Sequence, residues 1–242
     1  MPASSNTIWS SVSSEAVLGG GTALKVRQSP RARTMRLRVD PRTGEVLLTV
    51  PRRVSLKKAL AWADGHREWV EKALAEVPPP VAIEPDAEIP LYGAPHRIDW
   101  SSGRPRAVRV EEGRIVTGGP LEGLEPRLLR WLKTQAREVL ARETHEYAAK
   151  AGVTVARVGV GDPVSRWGSC SESGAIRYSW RLILAPDHVR RATVAHEVAH
   201  RVHMNHGREF HRLVKSLFGA DPSPARHWLK REGAVLHRIG RR

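Results

Sequence analysis

The chain has 242 residues, 40% hydrophobic and 27% charged, a soluble globular balance with room for one large domain or two small ones. Apolar runs such as Leu182 to Ala185 fall far short of the ~20 residues of a membrane span, and the first twenty residues lack the basic-then-apolar order of a secretory signal. The single cysteine, Cys170, excludes an intrachain disulfide framework and an all-cysteine zinc site, so the expectation is a cytoplasmic protein with no membrane partner.

Charge is unevenly placed. Lys and Arg number 40 against 25 acids, for a net charge of +15. Residues 1–125 carry 18 basic and 15 acidic side chains, whereas residues 126–242 carry 22 and 10. An excess of that size attracts polyanions, which makes non-specific nucleic acid a candidate partner. No zinc-finger, RNP or helix-turn-helix signature accompanies it.

Residues 1–21 are Ser-rich, end in Gly and have no period, so residues 1–22 read as a flexible leader. Met35 to Val39 alternates apolar and charged residues, Asp40-Pro41-Arg42-Thr43-Gly44 is a turn, and Val46, Leu48 and Val50 alternate again. This predicts a β-hairpin with Arg36 and Arg38 on its outer face. Ser55 is the expected N-cap of one helix carrying Leu56, Ala59, Leu60, Ala63, Val70 and Leu74, and Val77-Pro78-Pro79-Pro80 stops it. Two or three short strands follow between Leu91 and Ile115. Leu128, Leu132, Ala136, Val139, Leu140 and Tyr147 outline a long amphipathic helix ending near Gly152. Strands are expected at 153–160 and 164–179, then a helix from Pro186-Asp187, one through Phe210 to Phe218, and a last one after Pro224. Of the eight Trp, Trp69, Trp131 and Trp228 fall on apolar helix faces and are expected in the core.

The chemistry lies in His196-Glu197-Val198-Ala199-His200, an H-E-x-x-H pattern. Residues four apart share one helix face, so the two imidazoles can bind one zinc ion. Glu197 is free to act on a zinc-bound water, whose pKa falls to ~7. The helix is expected to end near Met204-Asn205, and His203 would then sit ~10 Å along the axis from His196, too far to share its metal. His206, just past that turn and six residues after His200, is the first choice for third ligand, with His211, Glu209 and Glu232 as alternatives. Arg166, Tyr178 and His203 are candidate donors to a developing oxyanion. Cys170 is paired with no histidine by any motif, so it is not expected to be a nucleophile.

His196-Glu197-x-x-His200 followed by Asn205-His206-Gly207-x-x-Phe210 resembles the YgjP-like metallopeptidase family and, more distantly, the SprT-like proteases. Arg166-Trp167-Gly168-Ser169-Cys170-Ser171, Ile176, Trp180-Arg181-Leu182 and Ala185-Pro186 share in the resemblance, as do Val50-Pro51, Trp69 and Leu91-Tyr92-Gly93. It covers roughly residues 23–238. Val198 stands where the family usually has Leu, and His211 where a Trp commonly follows the Phe. The resemblance implies a zincin fold and a peptidase or hydrolase whose zinc is held by His196, His200 and His206, with Glu197 as catalytic base and a peptide or protein as substrate.

The expected architecture is α+β: the leader 1–22, an N-terminal β-rich part with one helix over 23–120, and a zincin-like metallopeptidase part over 121–242. The competing reading is a nucleic-acid-associated basic protein whose metal site is structural or vestigial. Glu197 argues against a vestigial site, since a purely structural site has no use for it.

Overall fold

A computed structural model of the protein describes residues 14–240. The chain divides into two compact units that meet in sequence at Pro78–Pro79.

In the first unit, strands β1 (Ser14–Val17), β2 (Ala23–Ser29), β3 (Arg36–Val39) and β4 (Val46–Pro51) form a sheet in the order β1-β2-β4-β3. The predicted hairpin is β3–β4, with Arg36 opposite Thr49 and Val39 opposite Val46. Gly44 closes its turn at φ +74°, a conformation that costs glycine little. Strand β2 pairs with β4 in parallel, Leu24 beside Val46 and Val26 beside Leu48. These four residues share the sheet's apolar face, so the alternation seen in the sequence becomes a buried layer. Two helices cover it, α1 (Leu56–Asp64) and α2 (Arg67–Ala75), through Ala59, Ala63 and Val70. Ser55 caps α1 by accepting from the Lys58 amide at 3.4 Å, as expected. The single helix foreseen here is broken at Gly65–His66. Residues 14–17, expected in the flexible leader, instead pair with β2, and the rest of that expected segment, residues 1–13, lies outside the described residues.

The second unit opens with β5 (Glu88–Leu91), β6 (Ala94–Ser101), β7 (Arg109–Glu111) and β8 (Arg114–Gly118), in the order β5-β6-β8-β7. Helix α3 (Leu124–Ala151) follows and ends at Gly152 in the left-handed conformation (φ +66°). Strands β9 (Arg157–Gly161), β10 (Gly168–Cys170) and β11 (Ala175–Ser179) make a second sheet, β10-β11-β9, with β10 at its edge. Helices α4 (Asp187–Ala199), α5 (Arg208–Phe218) and α6 (Ser223–Arg238) complete the unit.

One continuous core runs through this unit. Ile89, Leu91, Ile98 and Ile115 of the first sheet pack in the same cluster as Leu128 and Leu132 of α3, Val194 and Val198 of α4 and Phe210 of α5. That is why the units part at Pro78–Pro79 and not near residue 120: strands 88–118 bury their apolar face in the C-terminal core. Gly93 reinforces the joint. Its backbone N–H bonds the Leu184 carbonyl at 3.1 Å, and a Cβ there would lie 2.6 Å from Pro186 Cα, which only glycine avoids.

Two buried arginines tie the helices together. Arg190 of α4 is 3% exposed and gives charge-assisted bonds to Glu143 of α3, the closest at 2.8 Å, and to Asp187 at 2.8 Å. Arg181 bonds the Leu236 and Ile239 carbonyls at 2.6 and 2.8 Å and Asp162 at 2.8 Å, holding the end of α6 against the β9 side of the unit. Removing one partner strands the other charge in a low-dielectric interior. Glu143→Ala should therefore cost about 3 kcal/mol of stability. Arg212→Ala, which loses only an exposed pair with Glu209, should cost under about 1 kcal/mol. Urea unfolding of the full chain measures both, and equal losses would refute a structural role for the buried pair.

Candidate metal centre

Helix α4 starts after Pro186, which pre-sets an extended entry, and buries Val189, Ala192, Val194, Ala195, Val198 and Ala199. The remaining stripe carries His196 and His200. The helix ends at Ala199 with His200 as its C-cap, five to six residues earlier than the sequence suggested. The amides of Arg201 and Val202 turn back to the Val198 and Ala199 carbonyls, at 2.9 and 3.0 Å. His203 is thereby off the helix. Its backbone carbonyl accepts a hydrogen bond from His200 Nδ1 at 3.1 Å, which leaves His200 Nε2 as a free lone pair.

A tight turn (Gly207 N–H to the Asn205 carbonyl, 2.9 Å) then brings His206 back over α4. One ring nitrogen from each of His196, His200 and His206 lies within 4.8 Å of the others. The Nε2 atoms of His196 and His206 are 3.2 Å apart. Two nitrogens bound tetrahedrally at the usual zinc distance lie about 3.3 Å apart, so this donor set fits a zinc-sized ion. Phe210, fully buried at the start of α5, floors the cluster: its ring centroid lies 4.9, 4.6 and 4.6 Å from those of His196, His200 and His206. Burial, and then the neighbouring His200 and His206, push His196 down to about 4, so its imidazole is neutral near pH 7. Burial also lowers His200.

Glu197 is 6% exposed and has no ion-pair or hydrogen-bond partner among the described residues. Burial pushes its carboxyl up to about 7, against a smaller lowering by Arg166. Its carboxylate lies flat against the edge strand β10, where a Cβ on Gly168 would fall 2.5 Å from Glu197 Oε1. His196 and Glu197 both open onto a cavity of about 190 Å³, walled largely by the apolar side chains of Trp167, Val214, Ala225 and Leu229, with His211 and Arg226 also lining it.

The other sequence candidates fall elsewhere. His211 lines the cavity, but its ring centroid is 6.4 Å from that of His206 and it is not in the three-nitrogen cluster. Glu209 and Glu232 are engaged by Arg212 and Arg231, each at 2.6 Å. The Tyr178 hydroxyl is in the core, bonded to Thr144 at 3.0 Å, so it cannot serve an oxyanion. Burial raises the Cys170 thiol, which argues against a nucleophile. The sequence placed Gly168 and Phe210 in motifs but did not show that the first seats the Glu197 carboxylate and the second floors the cluster. A glycine within a segment expected to be strand was the available signal for the first, and an aromatic four residues after His206 for the second.

A family model described as YgjP-like, metallopeptidase domain, matches residues 33–232. No curated protein and no solved structure gives a match. Among the described residues no helix is long and apolar enough to cross a membrane. A metallopeptidase family implies a bound metal, and the three-histidine cluster is where this chain offers one. His206→Ala should weaken binding of added zinc about a hundredfold or more, titrated against a chromogenic chelator, whereas Glu232→Ala should leave it unchanged. The reverse pattern would move the third donor to Glu232.

Proposed function

The chain belongs to the YgjP-like metallopeptidase family, and from that premise we propose that it is a zinc-dependent peptidase in which His196, His200 and His206 hold the ion and Glu197 is the general base. The observation that carries this reading is the convergence of three imidazole nitrogens beside a buried carboxylate that has no ion pair or hydrogen bond among the described residues. Three protein donors, with no fourth in the cluster among the described residues, suit a zinc site that keeps one position open for chemistry; structural sites close with four. A zinc ion held there supplies Lewis acidity to a carbonyl oxygen and to a bound water.

The chain's own residues do the rest. The His203 carbonyl fixes the tautomer and direction of the His200 ring. Glu197 accepts the proton of the attacking water and returns it to the leaving amine. Among the described residues strand β10 pairs with β11 alone, so its outer edge is available to align an extended peptide by main-chain bonds. The cavity of about 190 Å³ beside Glu197 takes an apolar side chain of that peptide, being larger than a ~150 Å³ apolar cavity that binds benzene.

Glu197→Gln removes the base and no ligand. It should keep one zinc per chain by mass spectrometry while peptide cleavage falls about 10²–10⁴-fold. Gly168→Ala pushes the carboxylate off its seat and should lower kcat about a hundredfold with zinc retained, since misplacement of about 1 Å costs that much. Cleavage of a proteome-derived peptide mixture, read by mass spectrometry, measures both. A Glu197→Gln protein with most of its activity would sink the mechanism, and zinc-loaded wild type without cleavage would sink the peptidase reading.

A further inference from the structure

The first unit segregates its charge along the sheet. Between Arg27 and Lys58 the chain has ten basic and two acidic side chains. Because β2 and β4 run parallel, Ser29 beside Pro51, the segments that leave them emerge at the same end. Those segments carry Arg31, Arg33, Arg52 and Arg53, which line one open hollow. All four are exposed, and none pairs with an acidic group among the described residues. The two acids, Asp40 and Glu45, flank the turn at the opposite end. Arg42 holds the first at 2.6 Å and Lys25 holds the second. Four like charges gathered without a counter-ion repel one another, and an anionic ligand relieves that repulsion.

Trp69 adds a second, independent feature. Its position on a helical apolar stripe predicted a core residue, yet it is 48% exposed, and the buried residue of α2 is its neighbour Val70. Its ring borders a hollow with Arg36, Arg38, Pro41 and Glu76, the last being the one acid there. Arg36 and Arg38 share the outer face of β3, an edge strand, and Arg36 is three residues beyond Arg33. Arg38 has a distant contact with Asp40, at 3.9 Å, and Arg36 has no ion pair among the described residues. An exposed indole that lines a hollow with two arginines, on a strand that begins three residues after Arg33, offers stacking to a base, and the four unpaired arginines offer paired hydrogen bonds to phosphates.

We propose that this face of the first unit binds single-stranded nucleic acid, with phosphates on Arg31, Arg33, Arg52 and Arg53 and a base stacked on Trp69 beside Arg36 and Arg38. A single strand is favoured over a duplex because only an unpaired base can present its face to Trp69. A lipid surface fits less well: beyond Trp69, the one other large apolar side chain exposed among the unit's described residues is Val17, on the edge strand β1 at the other side of the sheet. Residues 126–242 carry the larger net charge but fit a single strand less well, since no tryptophan there is exposed: Trp131, Trp167 and Trp228 are half-buried and Trp180 is buried. The proposal is independent of the metal centre.

The test is fluorescence anisotropy of the full chain with a labelled twenty-nucleotide oligo-dT over 50–200 mM salt. Four neutralised phosphates on a single strand give a log–log slope of about −2.8, so affinity should fall about fiftyfold over that range. Trp69→Ala should weaken binding about five- to hundredfold at constant slope, and Trp69→Phe should restore most of it. Replacing the four arginines together (R31Q, R33Q, R52Q, R53Q) should flatten the slope, whereas R212Q should change nothing. All of these side chains are exposed, and unchanged melting temperatures confirm that the variants fold. No oligo-dT binding at 50 mM salt would overturn the proposal. So would indifference to Trp69→Ala, equal loss in R212Q, or equally tight binding to a twenty-base-pair duplex or to phosphatidylserine vesicles.

Discussion

Three imidazoles converge in this protein because helix α4 stops at His200 and the chain reverses within six residues. Had the helix run on through His206, that residue would lie about 15 Å along the axis from His196, at 1.5 Å per residue, and could not have met it. The amides of Arg201, Val202 and His203 instead fold back onto the last helical carbonyls. The same reversal puts the His203 carbonyl under His200 Nδ1 and places His206 Nε2 3.2 Å from His196 Nε2. Phe210 then fills the space below all three rings with a surface that offers no competing hydrogen bond.

A site that tight needs a helix that does not shift. Helix α4 is held from two sides, by Arg190 on Glu143 of α3 and by a core shared with α5, while Arg181 fastens the end of α6. Buried charge is an expensive way to hold helices, and apolar replacements are often as stable. What the Arg190 pair adds is direction, because its bonds to Glu143 are met in one register of α4 against α3. The approach of Glu197 to Gly168 shows how fine that register is. The carboxylate occupies the space where a β-carbon would be, so strand β10 and helix α4 are as close as a glycine permits.

The arginines do several different jobs. Arg181 and Arg190 are structural and hidden, and Arg212 and Arg231 are neutralised on the surface. Those at the far end of the first sheet are neither. Net charge read along the chain is largest over residues 126–242, whereas Arg31, Arg33, Arg52 and Arg53, exposed and without acidic partners among the described residues, share one hollow. That gathering is set by the parallel pairing of β2 with β4 and is not a property of composition.

Much of the candidate site was legible because its determinants are local. Two histidines four apart lie on one face of any helix, and a third just past the helix end is within reach of them. The β3–β4 hairpin, the Ser55 cap and the stop at Gly152 were legible for the same reason: each depends on a few consecutive residues and their preferred dihedrals. Contacts between distant segments were not. The parallel pairing of β2 with β4, the burial of strands 88–118 in the C-terminal core and the boundary at Pro78–Pro79 rest on partners far apart in sequence. Trp69 has the periodicity of a core residue and is half exposed, because the sheet's apolar face is already covered by Ala59, Ala63 and Val70. The sequence by itself determined which residues could bind a metal; tertiary structure decided where α4 ends, what lies against Glu197 and which arginines are left without a partner, since each of these is set by packing between segments that the chain's local preferences do not connect.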